Sequence, residues 1–114
     1  MKQINRVYEG VTNYMRSELP DAGFMPSRED PDPFGSKFLE FCRGIEAIRF
    51  VFDGMESWFL LEFCSDINSE PYPHWIDVRL EMLEFRDPAE EKSEYLLDVF
   101  REAIIKFVAE YRAA

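Results

Sequence analysis

The sequence predicts an α+β fold of two layers, in which an N-terminal helix and a C-terminal helix both cover one face of a four-stranded antiparallel meander. Three observations lead to this prediction. Apolar residues recur at helical spacing near both ends, four runs rich in aromatic and β-branched residues fill the middle, and turn residues separate those runs. Two amphipathic helices need an apolar surface, and one sheet face supplies it. With 114 residues, we expect 1–114 to form a single domain.

The N-terminal helix is predicted from an apolar stripe that has polar residues on its other side. Gly10 interrupts the stripe with a residue of low helix propensity, and Pro20 ends the helix. The stripe consists of Ile4, Val7, Tyr8, Val11, Tyr14 and Met15.

The C-terminal helix is predicted over about residues 88–111. Asp87 is expected to cap its first free N–H groups, Pro88 suits the first helical position, and Glu90 stands where it can reach back to the cap. The apolar stripe of this helix consists of Leu96, Val99, Phe100, Ala103, Phe107, Val108 and Tyr111.

Residues 21–35, between the first helix and the first predicted strand, are rich in proline and acidic residues and have no periodicity. We expect them to form an ordered crossover loop or an edge segment. Phe24, Met25 and Phe34 are expected to anchor this segment to the core.

The four strands are predicted at 36–43, 45–52, 58–65 and 75–85, with tight hairpins joining the first three. A turn at Arg43-Gly44 pairs Leu39 with Ile48, and a turn at 53–56 pairs Phe50 with Phe59. Because side chains alternate along a strand, this pairing assigns every residue to one face. The helix-covered face is predicted to hold Leu39, Phe41, Ile48, Phe50, Phe52, Phe59, Leu61, Phe63, Ile76, Val78, Leu80 and Met82.

The second face of the sheet is also partly apolar, and we predict an interface there. Exposed apolar area usually marks an interface, and Trp and Arg are frequent binding hot spots. The predicted interface residues are Phe38, Arg49, Val51, Trp58 and Leu60. Three interpretations stay open: a homodimer or partner surface, cover by the 21–34 loop, and a different register. The last strand is expected to add Trp75, Asp77, Arg79, Glu81, Leu83 and Phe85 to this face.

Cys42 and Cys64 fall on the second face with one strand between them. Two strand spacings exceed the reach of a disulfide, so we expect two free thiols and a reducing compartment. The first residues include no apolar segment of a secretory signal, which predicts a cytoplasmic protein.

Charge and motifs exclude several classes of function. The chain has 13 basic and 23 acidic residues, a net charge of −10, which disfavours nucleic-acid binding through phosphates. It has no apolar run long enough to span a membrane. It also has no G-x-G-x-x-G, phosphate-loop, C-x-x-C or H-E-x-x-H motif, so we predict no cofactor, no metal and no catalytic residue.

The titratable residues leave a weaker alternative. Carboxylates on the second face resemble the pairs that do acid–base work or bind divalent metals, although cross-strand pairing with Arg49 and Arg79 explains them. His74 follows Pro73 in a loop and is expected to be a strand-entry residue, with a general base as the alternative. The carboxylates are Glu40, Glu62, Asp77 and Glu81.

Three stretches resemble small bacterial proteins with an aromatic meander of this type, some of which are similar to immunity proteins that neutralise polymorphic toxins. These stretches are Phe34-Gly35-Ser36, residues 48–54 and residues 58–62. In size and acidity the chain is also similar to type III secretion chaperones. Those chaperones insert a helix within the sheet, at the place where this chain has only the loop 66–73.

We therefore predict a cytoplasmic, non-enzymatic protein-binding domain that forms a homodimer and binds a basic partner, for example a bacterial immunity or adaptor protein. The alternative is a small-ligand-binding protein or enzyme with an aromatic pocket between sheet and helices. A structural subunit of a larger assembly is the third hypothesis.

Overall fold

The order of elements in the computed structural model is helix, five strands, helix, and the structure describes residues 2–32, 35–84 and 87–112. All strand pairs are antiparallel, and the strands lie in the order β1-β2-β3-β4-β5. The predicted α+β class and element order are confirmed, but the sheet has five strands rather than four. The elements are α1 (Lys2–Glu18), a short 3-10 helix (Leu19–Ala22), β1 (Met25–Asp30), β2 (Lys37–Arg43), β3 (Glu46–Asp53), β4 (Trp58–Cys64), β5 (Trp75–Met82) and α2 (Glu90–Arg112).

The additional strand is β1, which lies within the segment predicted as a loop or an edge segment. It pairs with β2 at the border of the sheet, and all six of its residues are exposed. Because neither face of an edge strand like this is buried, its sequence has no alternation to reveal it. Phe24, just before β1, is fully buried as expected, whereas Met25 is 56 % exposed and does not anchor the segment. Phe34 lies outside the described residues.

Aromatic rings form the centre of the core between the sheet and both helices. The rings of Phe50 and Phe59 stack across β3 and β4 with 5.5 Å between centroids, and Phe100 of α2 meets Phe50 edge-on at 4.9 Å. Tyr8 of α1 stacks on Phe50 at 5.9 Å. The predicted helix-facing residues of β2, β3 and β4 are buried: Leu39, Phe41, Ile48, Phe50, Phe52, Phe59, Leu61 and Phe63.

The two helices approach each other closely at Gly10. A Cβ atom on Gly10 would lie 2.5 Å from Cδ2 of Leu97, which is closer than two carbon atoms approach without displacement. The missing side chain of Gly10 therefore leaves room for the side chain of Leu97 where α1 packs against α2.

Strand pairing differs from the predicted register by two residues in both hairpins. Leu39 pairs with Phe50 and Phe50 pairs with Leu61, because the first turn is formed by Gly44-Ile45 and the second by residues 54–57. Gly44 has a φ of 60°, a conformation that L side chains rarely adopt. A shift of two residues preserves the face of every side chain, so the predicted faces of β2 to β4 are right while the predicted pairs are wrong.

The predicted faces of β5 are wrong over half of its length because the strand contains a bulge. Arg79 pairs with Leu61 and Asp77 pairs with Glu62, which leaves Val78 as an extra residue. Beyond the bulge the faces exchange: Arg79 and Glu81 turn toward the helices. Leu80 and Met82 turn to the second face, where they are 36 % and 61 % exposed.

The other β5 predictions also need correction. Ile76 and Val78 stay on the helix side but are 62 % and 37 % exposed rather than buried. Leu83, predicted on the second face, is buried in the core cluster. Phe85 lies outside the described residues.

Asp87 caps the N-terminus of α1, whereas the sequence predicts that it caps α2. Its carboxylate accepts hydrogen bonds from the backbone N–H groups of Gln3, at 3.0 Å, and Ile4, at 2.9 Å, in the first turn of α1. Helix α2 begins at Glu90. A carboxylate at this position satisfies free N–H groups and lies at the positive end of the α1 dipole, so it joins the two ends of the fold.

We expect Asp87→Ala to lower the free energy of unfolding by about 1 kcal/mol, the usual cost of a lost helix cap. Asp87→Asn should lose less, because the amide oxygen still accepts a hydrogen bond. Urea unfolding measures both, with Asp98→Ala, an exposed carboxylate in the middle of α2, as the control. An Asp87→Ala variant with the same free energy of unfolding as the wild type would contradict the capping role.

Candidate functional site

The sheet face opposite the helices, here called the open face, is organised in rows that run across the strands. The register aligns Phe38, Val51, Leu60 and Leu80 on four neighbouring strands. This apolar row is continued by Trp58 and Met82, which pair at one end of β4 and β5. The first three residues and Trp58 are half-buried, and the helices lie on the other side of the sheet.

A row of charged residues follows beside the apolar row. Glu40 pairs with Arg49, and Arg49 pairs with Glu62 across β2, β3 and β4. Arg28 of β1 forms an ion pair with Glu40 at 3.2 Å, and Arg49 forms one with Glu62 at 2.5 Å. Glu40 and Glu62 are only 5 % and 7 % exposed, so these ion pairs compensate two buried carboxylates.

Arg49 also contacts aromatic rings on both sides of the charged row. Its guanidinium lies 3.8 Å from the ring centroid of Trp75 and 6.0 Å from that of Phe38. Arg28 lies 5.4 Å from the same Phe38 ring. Such cation–π contacts attract the guanidinium groups to the rings and connect the charged row to the apolar row.

The third row contains both cysteines, and the loop after β4 packs over that end of the open face. Cys42, Ala47 and Cys64 are aligned on β2, β3 and β4, and both cysteines are free thiols as predicted. The N–H of Ile67 donates to the carbonyl of Ile45 at 2.8 Å. Ile67 and Pro73 line a cleft with Arg49.

All five predicted interface residues lie on the open face. Phe38, Val51 and Leu60 share the apolar row, Trp58 lies at its end, and Arg49 belongs to the charged row. Sequence reasoning missed Leu80 and Met82, because the bulge that brings them to this face has no signature in an otherwise regular alternation. The alternative of cover by the 21–34 loop is wrong for the part that the structure describes, since β1 lies beside β2 in the sheet.

Among the titratable residues considered for chemistry, Glu62 and Asp77 lie opposite each other on β4 and β5 of the open face. Glu40 and Glu62 are each tied to an arginine, and Glu81, on the helix side, pairs with Arg79 at 3.2 Å. His74 is exposed, and its ring lies 5.7 Å from that of Tyr72. Within 2–32, 35–84 and 87–112, no three His, Cys, Asp or Glu side chains are grouped to hold a metal ion.

A small cleft of 220 Å³ between α1 and the β1 edge is lined in part by the buried side chains of Lys37, Tyr8 and Thr12. Lys37 is 4 % exposed, donates a hydrogen bond to Asn5 and lies 5.2 Å from the ring centroid of Tyr8. Burial lowers the pKa of Lys37 from its usual 10.5, against the opposing effect of Glu9. Burial also raises the pKa of Tyr8, whose hydroxyl has no hydrogen-bond partner among the described residues.

We expect Lys37→Met to raise the free energy of unfolding at neutral pH, because the folded protein no longer buries an ammonium group. The gain over wild type should shrink as the pH rises through the lowered folded-state pKa toward 10.5. In that window the folded wild type loses its proton while the unfolded chain keeps it, so wild-type stability rises.

Urea unfolding at neutral and alkaline pH measures this difference, and Lys106→Met, at an exposed lysine, is the control. A less stable Lys37→Met at neutral pH would show that the contacts of Lys37 with Asn5 and Tyr8 outweigh its burial.

In the charged row, we expect Arg49→Met to destabilise the fold by about 2 kcal/mol, because it leaves the Glu62 carboxylate buried without its cation. The double variant Arg49→Met with Glu62→Met should recover most of this loss. Urea unfolding tests both. Breaking the exposed Glu102–Lys106 pair with Lys106→Met should change stability by less than about 0.5 kcal/mol; equal effects at the two pairs would contradict the role of burial.

Comparison with known proteins adds no assignment to this geometry. No protein-family model, no curated protein and no solved structure matches the chain. Among the described residues, neither helix is long and apolar enough to cross a membrane. The function is therefore argued from the surfaces themselves.

Proposed function

We propose that the protein is a non-enzymatic binding domain that docks a basic partner protein on the apolar row of its open face. The observation that carries this proposal is the row itself. Phe38, Val51, Leu60 and Leu80 are aligned across four strands on the side away from both helices. A contiguous apolar surface of this kind on a water-facing sheet is typical of an interface, because association removes it from water.

Charge favours a basic partner over a second copy of the chain. The open face carries five carboxylates (Asp30, Glu40, Asp53, Glu62, Asp77) but two guanidinium groups (Arg28, Arg49). The two buried carboxylates are neutralised by those arginines, so the surplus lies at the ends of the rows. A basic protein would be attracted both by this surplus and by the net charge of −10. Two copies packed face to face would instead bring like charges together.

The open face combines apolar side chains with an adjacent arginine, which is a frequent composition of binding hot spots. Val51 and Leu60 lie in the middle of the apolar row and Trp58 lies at its end. Arg49 lies beside the row, with its guanidinium against the ring of Trp75. Side chains that are fixed before binding lose less conformational entropy when a partner arrives. An immunity protein that neutralises a basic nuclease toxin would have this chemistry, and such a toxin is the specific partner we propose to test first. The two unpaired thiols support a cytoplasmic location as part of this proposal.

The experiment combines affinity capture from a bacterial lysate at low salt with reconstitution from the purified partner. We expect Leu60→Lys to weaken binding at least about tenfold, because it places a charge in the apolar row. Ile105→Lys, which adds the same charge at a 53 % exposed site on α2, should bind like wild type. Affinity should fall about tenfold or more between roughly 0.05 M and 0.5 M salt. Equal binding by the two lysine variants, or binding indifferent to salt, would contradict the proposal.

Light scattering distinguishes this proposal from the homodimer predicted from the sequence. A monomer leaves the open face free for another protein. A dimer that Trp58→Glu dissociates, with an unchanged circular dichroism spectrum, would assign the apolar row to self-association instead.

A further inference from the structure

Strand β5 forms the second border of the sheet, and its outer backbone groups face no strand among the described residues. It pairs with β4 on one side only. Alternate residues of such a strand direct N–H and C=O groups outward, and an extended peptide is their natural complement. Both border strands contain a bulge. The border opposite, β1, also contains Pro26, which has no N–H to donate and so obstructs strand addition.

A groove of 380 Å³ lies between β5 and α2, directly beside this free border. Phe63, Phe107 and Ala103 line it from the core side, while Ile76 and Val78 line it from β5. Ile76 is 62 % exposed and Val78 is 37 % exposed. The groove therefore offers apolar contacts to a side chain that enters from a strand placed next to β5.

The charged residues around the groove have an acidic surplus. On the helix side of β5 and along α2, carboxylates belong to Glu81, Glu102 and Glu110, and cations belong to Arg79 and Lys106. Arg79 and Lys106 are each paired with a carboxylate, Glu81 and Glu102 respectively. A basic occupant matches this surplus, whereas a second copy of the same border would repeat it.

We propose that an extended basic segment of a partner protein adds to β5 as a sixth strand and places alternate apolar side chains in the groove against α2. Hydrogen bonds between the two backbones supply affinity. Because successive side chains of a strand point to opposite faces, we expect apolar and basic residues to alternate along the added segment. This site shares none of its groove-lining residues with the apolar row of the open face, so it does not depend on the function proposed above.

The test uses a fluorescein-labelled heptapeptide of alternating valine and lysine, with valine at both ends. We expect saturable binding by fluorescence anisotropy and slower hydrogen exchange of β5 amides in the complex. A peptide N-methylated at every residue has no backbone N–H left to donate to a strand, and one with glutamate in place of lysine has the wrong charge. Each should bind at least about tenfold more weakly.

Matched variants locate the peptide on the protein. Ile76→Ala and Glu110→Lys should each weaken binding about fivefold or more, whereas Ile105→Ala and Asp98→Lys, at exposed α2 sites outside the groove, should not. Leu60→Lys should leave peptide binding unchanged, which separates this inference from docking on the open face. No saturable binding, equal binding of the N-methylated peptide, or equal effects of groove and control variants would overturn it.

Discussion

The contact of Phe50, Phe59 and Phe100 fixes which face of the sheet the helices cover. The two strand rings stack on each other, and the ring of α2 lies edge-on to both, at 4.9 Å from Phe50 and 6.3 Å from Phe59. All three side chains are fully buried, so exposing them would lose several kcal/mol of apolar burial (~2 kcal/mol for each ring). With the helices held on this side, the other side of the sheet has to meet water, the loop 66–74 or a partner.

The bulge at Val78 accounts for both candidate binding surfaces. Beyond it, Leu80 and Met82 extend the apolar row of the open face, and the polar residues Arg79 and Glu81 move under α2. There Arg79 donates a hydrogen bond to the hydroxyl of Tyr95 at 3.3 Å. On the same side of β5, Ile76 and Val78 are exposed and line the groove. One extra residue thus changes a half-buried border strand into a surface with apolar side chains on both faces.

Much of this fold follows from periodicity, and the failures have local physical causes. Helices and central strands bury one side, so their apolar residues repeat with the period of the element. Strand β1 is exposed on both faces and has no such pattern. The partner of Asp87 is a matter of tertiary structure: a carboxylate before Pro88 predicts a cap for the next helix, but the fold brings the N-terminus of α1 to this carboxylate. The prediction of the open face rests on the central strands. It therefore omits Leu80 and Met82, which the bulge brings to this face.

Register is the property that apolar alternation leaves open, and the buried charges settle it. Registers that differ by two residues keep the same faces, so the aromatic pattern is equally satisfied by both. In the predicted register, Arg49 would lie opposite Phe38 and Leu60, and Glu62 would be buried without the cation that Arg49 supplies. In the observed register Arg49 lies between Glu40 and Glu62. Leaving a buried carboxylate unpaired costs several kcal/mol, whereas the pairs themselves add little net stability. The charged row therefore acts by penalising the alternative pairings, and by doing so it aligns the four apolar side chains of the neighbouring row.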